Sequence, residues 1–150
     1  MITTIPVQQG PRPVWLDRAV AVAVVLVAAT CAAYLWGTVP DERGFGTHEQ
    51  LGMTRCSWPT AYGMPCPTCG ATTAASMVVH GRLWSALETQ PFGAAVAAAG
   101  LLAGATALWC LLRGRSLLDV YVQLPRTAIL FWAILLCVAS WLYKWAVFAG

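Results

Sequence analysis

Three cysteines lie close together near the middle of the chain, at Cys56, Cys66 and Cys69. The last two belong to the run Cys66-Pro-Thr-Cys69-Gly70, which is typical of a turn leading into a helix, because proline is tolerated in a first helical turn. Unpaired backbone N–H groups and the helix dipole at such a position stabilise a thiolate. We therefore expect a lowered thiol pKa there, and three chemistries fit the pattern.

The first chemistry is a structural disulfide that joins Cys56 to Cys66 or to Cys69. In the chain-entropy model, closing a loop of about ten to thirteen residues is worth roughly 3 kcal/mol. Such a bond suits an oxidising compartment. The spacing alone does not choose between the two pairings.

The second chemistry is a zinc or other soft-metal site, because C-P-x-C-G is also the shape of a zinc knuckle. A knuckle supplies two ligands, so Cys56 and one further residue would have to complete the set of Cys56, Cys66 and Cys69. His48, in a loop, can reach the cysteines more freely than His80, which a continuous helix would place about 16 Å from Cys69. Zinc is the cofactor that the sequence suggests, and it stays one alternative among three.

The third chemistry is a redox-active dithiol of the C-x-x-C kind. The usual fold for that chemistry contains a sheet, and the sequence has no βαβ pattern. It also has no Ser-His-Asp set, no paired carboxylates and no glycine-rich phosphate loop, which argues against an enzyme without deciding the matter. The other cysteines, Cys31, Cys110 and Cys137, fall in apolar runs and are predicted to be small packing residues.

The composition shows what must position these residues. The 150-residue chain is 59% hydrophobic and 10% charged. Soluble domains carry about a quarter charged residues, so the sequence predicts a single all-α domain that is integral to a lipid bilayer. The net charge of +3 and the scattered arginines exclude a nucleic-acid partner.

Three apolar runs are each close to the roughly 20 residues that a helix needs to cross a bilayer core. They predict spans at 19–37, 92–112 and 127–148, after an N-terminal tail at 1–18. The segment 38–91 lies between the first and second spans and contains the three cysteines. We expect one or two short helices in it, lying at the interface or entering the membrane as a re-entrant pair.

Those short helices are predicted from Cys69 to His80, ended by Gly81, and from Arg82 to Gln90. The first would be only some 16 Å long, which is too short to cross a bilayer. Pro91 would then turn the chain into the second span.

The arginines predict the orientation. Two precede the first span and three lie between the second and third, at Arg12, Arg18, Arg113, Arg115 and Arg126. The positive-inside rule puts that side in the cytoplasm. The N-terminus would then be cytoplasmic and the cysteine segment would lie outside a bacterial inner membrane. Lys144, near the end of the third span, is expected to reach towards the interface.

Small residues recur on one face of the second span, at Gly93, Ala97, Gly100 and Gly104. Such a face lets another helix approach the backbone closely. The approaching helix would belong either to this chain or to a membrane partner, including a second copy.

The cysteine segment resembles a known family. Cys56, Gly63, the C-P-T-C-G run, Thr72, Ala74, His80-Gly81, Ala86 and Pro91 are similar to an uncharacterised bacterial membrane family, domain of unknown function 2752, which is marked by C-P-x-C-G-x-T-R and a downstream Asn-Pro. The resemblance covers roughly 56–91 and the following span. It implies the membrane topology and an important cysteine motif, with no assigned activity. Thr73 replaces the family arginine and Gln90 the family asparagine, so a function of that arginine, such as anion binding, would be lost.

Three functions are compatible with these patterns. The first is a non-enzymatic scaffold or accessory subunit of a membrane assembly, because no complete catalytic set is found. The second is a thiol–disulfide or metal-binding protein that uses Cys56, Cys66 and Cys69. The third is a channel or transporter, suggested by the re-entrant-length helix, although no ionisable residue lies at the middle of a span.

Overall fold

The structure, a computed structural model, describes residues 13–149, and that part of the chain contains helices and no strand. In chain order the elements are α1 (Val14–Trp36), a 3₁₀ turn (Thr47–Leu51), α2 (Trp58–Tyr62), α3 (Ala71–Val79), α4 (Leu83–Thr89), α5 (Pro91–Arg113), α6 (Leu117–Gln123) and α7 (Arg126–Ala149). We call residues 38–90, between the first two long helices, the cap.

Three helices in the described residues are long and apolar enough to cross a membrane. They are Val14–Trp36, Pro91–Arg113 and Arg126–Val147, with mean hydropathies of 2.3, 2.0 and 1.7. Most of their side chains are exposed on the isolated chain, as expected where lipid covers them. The predicted fold class, all-α with three spanning-length helices and short helices between the first two, is confirmed.

The first long helix begins earlier than the apolar run indicates. It starts at Val14, so residues 14–18, predicted as part of the tail, are helical. The acidic side chain of Asp17 lies in the first turn, where it interacts favourably with the helix dipole. Residues 1–12 of the predicted tail, which include Arg12, lie outside the described residues.

The predicted connector between the second and third spans contains a helix, α6. The backbone N–H groups of Leu117 and Leu118 donate to the carboxylate of Asp17 at 3.3 and 3.0 Å, and the Ser116 hydroxyl donates to the same group at 3.0 Å. Ser116 Oγ in turn accepts from the N–H of Asp119. An acidic residue of α1 therefore satisfies the N–H groups at the start of a helix about 100 residues away, which local sequence does not reveal.

The cap contains the two predicted short helices, α3 and α4. The first begins at Ala71 instead of Cys69, because Gly70 at its N-cap is in the left-handed conformation with φ +85°. It ends before Gly81, which also has positive φ, as predicted. Apolar side chains of α3, α4 and the start of α5 form one buried cluster: Ala74, Met77, Val78, Ala86 and Ala94, with Ala97 packed against it.

The small-residue face of α5 packs mainly against this chain. A Cβ added to Gly93 would lie 2.6 Å from the Cα of Ala71 in α3, and one added to Gly104 would lie 2.6 Å from the Cβ of Ala28 in α1. Gly100 has no atom within 4 Å of such a Cβ. Close approach to α1 and α3 thus accounts for the small residues at two of the four positions.

Candidate thiol site

The Cys66–Gly70 run forms a tight turn ahead of α3. The Cys69 N–H donates to the Cys66 carbonyl at 3.0 Å, and the Ala71 N–H donates to the Thr68 carbonyl at 3.0 Å. A turn of this kind brings its first and fourth Cα atoms within about 7 Å. Gly70 ends the turn, and a Cβ there would overlap the carbonyl oxygen of Gly44, so that position requires glycine.

The two thiols of this turn have different surroundings. The Cys69 side chain is buried, with 7% of its surface exposed, whereas Cys66 is half-buried. The Cys66 thiol acts on Cys69 electrostatically and through a side-chain interaction, so the two groups lie close together. The Cys66 thiol also lies 3.7 Å from the hydroxyl of Thr68. The turn therefore places a half-buried sulfur close to a buried one.

Burial raises the pKa of the Cys69 thiol to about 11, and the neighbouring Cys66 adds to the effect. The Lys144 ammonium acts in the opposite direction and Cys56 raises the value further. The predicted lowering of the thiol pKa is therefore wrong for Cys69. The cysteine precedes the helix and is shielded from water, so the cost of burying a thiolate outweighs the helix dipole.

All three cap cysteines line one pocket. It has a volume of about 870 Å³ and is bounded by Cys56, Cys66, Cys69 and His48, with Trp58 and Tyr62 among its aromatic walls. This is within the range of roughly 300–1,000 Å³ typical of small-molecule sites. All three cysteines are free thiols. Cys56, Cys66, Cys69 and His48 thus all line the same pocket.

The edge of the pocket carries paired charges. The Arg43 guanidinium donates to both carboxylate oxygens of Asp41, at 3.0 and 2.7 Å, and this hydrogen bonding lowers the pKa of that carboxyl group. Arg55 Nε lies 3.4 Å from Glu49 Oε1. Both ion pairs are exposed, so they contribute little to stability. Each of the two arginines that line the pocket has a carboxylate beside it.

His80 lies away from this pocket. Its Nδ1 is 2.8 Å from the Ser76 carbonyl oxygen, and its ring stacks on Trp36 with centroids 5.0 Å apart. His80 therefore contacts a backbone carbonyl of α3 and the aromatic ring of Trp36. Of the two histidines proposed as a fourth ligand, only His48 is among the lining residues.

The metal hypothesis gains no support from the geometry. Within residues 13–149, no group of three or more His, Cys, Asp and Glu side chains is arranged to hold a metal ion. A closed zinc site takes four ligands in tetrahedral geometry. The described residues do not supply such a set of four ligands, so zinc takes no part in the proposed mechanism.

Thr73 is fully buried. The hydroxyl of Thr47 in the 3₁₀ turn donates to its hydroxyl at 2.9 Å. A neutral hydroxyl pair therefore occupies this part of the pocket wall. It joins α3 to the segment that carries His48.

Two residues outside the motif fix the cysteine turn. Gln90 is fully buried, donates to the Pro67 carbonyl at 3.4 Å and accepts from the backbone N–H of Gly93, which caps α5. The Trp141 indole N–H, from α7, donates to the Pro65 carbonyl at 3.0 Å. The start of α5 and one segment of α7 thereby hold both sides of the turn.

Lys144 is the residue that sequence reasoning placed wrongly. Instead of reaching to the interface, its side chain is buried, with 8% exposed, and Nζ donates to the carbonyls of Gly44 and Thr89 at 3.2 Å each. Two neighbours in α7 make further hydrogen bonds: Ser140 Oγ accepts from the N–H of Phe92 in the first turn of α5 at 2.9 Å, and the Tyr143 hydroxyl donates to the Glu88 carbonyl of the cap at 2.8 Å.

A signal for this contact was present in the sequence. Ser140, Tyr143 and Lys144 are spaced at i, i+3 and i+4, so they share one face of a helix. In an otherwise apolar span, polar residues on one face indicate contact with protein instead of lipid.

No curated protein and no solved structure matches the chain. The family comparison covers the part of the chain that carries the site: α2, α3, α4, the first part of α5 and all three cap cysteines. Residues 56–105 match the model of the family described as Protein of unknown function (DUF2752), which confirms the family resemblance predicted from the sequence.

Proposed function

We propose that this chain is a membrane-anchored thiol–disulfide exchange protein in which Cys66 and Cys69 are the reacting pair. The observation that carries the proposal is the proximity of these two thiols on one pocket, with Cys66 half-buried and Cys69 buried. An exchange centre needs this arrangement, because one sulfur must meet the partner and the second must reach the first. In this proposal the cap faces the outside of a bacterial inner membrane.

Cys66 is the attacking thiol. Its thiolate attacks one sulfur of a protein disulfide, forms a mixed disulfide and releases the other partner sulfur as a thiolate, which takes up the proton lost by Cys66. Cys69 then attacks the Cys66 sulfur and displaces the second partner sulfur, which takes up the Cys69 proton. The partner disulfide gains two electrons and becomes a dithiol, while Cys66 and Cys69 lose two and become a disulfide.

Burial suits Cys69 to the second step. A buried thiol with a raised pKa reacts slowly with reagents from solution, because little of it is thiolate. Attack on the adjacent Cys66 sulfur is intramolecular, so a high effective concentration compensates for the small thiolate fraction. In this centre Cys66 attacks the partner disulfide in the pocket, and Cys69 then resolves the mixed disulfide that Cys66 has formed.

Cys56 lines the same pocket and allows a competing arrangement. A permanent disulfide from Cys56 to Cys66 or Cys69 would make the cluster a structural lock. The exchange proposal instead gives Cys56 the role of a third thiol that the Cys66–Cys69 reaction does not require.

Single-turnover trapping with glutathione disulfide tests the proposal. In the Cys69→Ala variant, the mixed disulfide between Cys66 and glutathione should accumulate, because the thiol proposed to resolve it is absent. Unsubstituted protein should pass through that adduct and end with a Cys66–Cys69 disulfide, as seen by intact and peptide mass spectrometry. The Cys56→Ala variant is the matched control and should behave as the unsubstituted protein does. If Cys69→Ala yields no adduct at Cys66, the proposal is wrong.

A second candidate function is an accessory subunit of a membrane assembly, with another membrane protein or a second copy as partner. Four consecutive apolar side chains of α7, Ile129, Leu130, Phe131 and Trp132, are each at least about half exposed. Since successive residues point about 100° apart, they cover most sides of the helix. Native mass spectrometry in mild detergent tests this idea, and a solitary monomer would contradict it. The channel or transporter alternative stays a prediction that no contact in the described residues favours.

A further inference from the structure

Among the described residues, no carboxylate forms an ion pair with the buried side chain of Lys144. The ion pairs among the described residues are Arg43–Asp41 and Arg55–Glu49, and neither involves Lys144. Its two hydrogen bonds go to the neutral carbonyls of Gly44 and Thr89. A buried ammonium ion is costly unless it is compensated, so the position calls for a nearby group that becomes negative.

The thiol of Cys69 is such a group. Lys144 and Cys69 interact electrostatically, and a Cβ on the adjacent Gly70 would lie 3.5 Å from Lys144 Nζ. An ammonium group has three N–H donors, and the two carbonyls account for two of them. The other ionisable groups that act on Cys69 are Cys66 and Cys56, which oppose its ionisation. Lys144 is therefore the one neighbour among them that favours a thiolate.

We propose that Lys144 is a positioning residue whose ammonium group stabilises the thiolate of Cys69 when Cys69 resolves the mixed disulfide. This inference rests on the exchange function proposed above, since it assigns Lys144 a part in the second step. During that step the negative charge that forms on Cys69 is neutralised within the protein. The low-dielectric surroundings strengthen this attraction.

Holding the cap in place does not require the charge of Lys144. Trp141 and Tyr143, from the same segment of α7, already donate hydrogen bonds to carbonyls of the cap. A neutral donor at position 144 would do the same at lower cost in desolvation. The nearby thiol of Cys69 explains why the residue at position 144 is charged.

The test measures the reactivity of Cys69 alone. In the full-length Cys56→Ser/Cys66→Ser protein in nanodiscs, Cys69 is alkylated with iodoacetamide between about pH 8 and about pH 10, below its pKa, and labelling is followed by peptide mass spectrometry. Removing a nearby opposite charge raises the pKa of an acid by about one unit or more. Lys144→Met should therefore lower the labelling rate about tenfold near pH 8, and by less towards pH 10 as the Lys144 amine loses its proton. Lys144→Gln, which keeps a donor for the carbonyls, should do the same, and Lys144→Arg should keep most of the rate.

Tyr143→Phe is the matched control, because it removes a hydrogen bond between α7 and the cap without changing the charge. It should leave the labelling rate nearly unchanged. Equal slowing by Tyr143→Phe and Lys144→Gln, no slowing by Lys144→Gln, or failure of arginine to retain the rate would overturn the inference. Cys69 has no cap cysteine to pair with in this background, so the result does not depend on exchange. Failure of the glutathione trap with a Lys144 effect intact would reject only the proposed function.

Discussion

The two ends of α7 differ sharply in what they contact. The cap-facing segment, residues 140–144, donates or accepts hydrogen bonds through Ser140, Trp141, Tyr143 and Lys144. The distal segment, residues 126–136, exposes most of its apolar side chains and makes no such contact with the cap. Lipid is as apolar as those side chains, so burying them against protein gains little within a membrane. Polar contacts, rather than hydrophobic burial, therefore determine where α7 meets the rest of the protein.

Two glycines of α5 show the same contrast. Substituting them gives the largest expected difference in the free energy of unfolding. Gly93 faces the cap, where a Cβ would lie 2.6 Å from a backbone atom of Ala71, whereas Gly100 has open space. Gly93→Ala should lower the free energy of unfolding by at least about 3 kcal/mol, since backbone atoms cannot move aside as a side chain can. Gly100→Ala should be neutral or stabilise the helix by up to about 1 kcal/mol.

Thermal unfolding in detergent, followed by circular dichroism, measures both variants. Equal unfolding temperatures for the two would show that the cap does not pack against α5 as described.

The pH dependence of stability is the next largest effect and concerns Cys69. Its pKa is about 11 in the folded protein and near its ordinary value of 9.0 when unfolded. Below about pH 9 the thiol is neutral in both states. Between about pH 9 and pH 11 only the unfolded chain ionises, so stability should fall across that window, by about 1–3 kcal/mol.

The Cys69→Ser variant should lack this component, and Cys56→Ser should retain it. Urea unfolding in detergent across the window measures the difference between variants, which cancels the contributions of other titrating groups. The same pH slope in all three proteins would contradict the burial of Cys69.

The smallest expected effect on stability comes from substituting two tryptophans of α7. Trp141→Phe removes the hydrogen bond to the Pro65 carbonyl and should cost about 1 kcal/mol. Trp132 is 63% exposed on the distal segment, and Trp132→Phe should change stability by less than about 0.5 kcal/mol. Thermal unfolding of both variants measures the pair. A larger loss for Trp132→Phe would mean that the distal segment, not the cap-facing one, carries the specific contacts.

The sequence predicted the parts of the fold that follow from local patterns. Three long apolar runs identify the spanning helices, because a bilayer fixes how many apolar residues a helix needs. Gly81 and Pro91 mark the end of α3 and the start of α5, because glycine adopts the positive φ that ends a helix and proline has a fixed φ that suits a first helical turn.

Contacts between distant residues could not be predicted in this way. The carboxylate of Asp17 at the start of α6 joins residues about 100 positions apart, and so does the Lys144–Gly44 hydrogen bond. The prediction of a lowered thiol pKa was wrong for the same reason. The burial of Cys69 depends on how distant segments pack, and the spacing of residues within the motif does not determine that burial. The cluster of cysteines could be predicted from sequence, whereas the different surroundings of Cys66 and Cys69 could not.

The central claim is that Cys66 and Cys69 form a reversible pair, and a redox titration tests it most directly. The full-length protein in nanodiscs would be equilibrated with glutathione buffers of graded potential, alkylated without reduction and mapped by mass spectrometry. We expect a Cys66–Cys69 disulfide that forms and disappears with one midpoint, while Cys56 stays a thiol. A disulfide to Cys56 that persists across the whole range, or cap thiols that never oxidise, would contradict it.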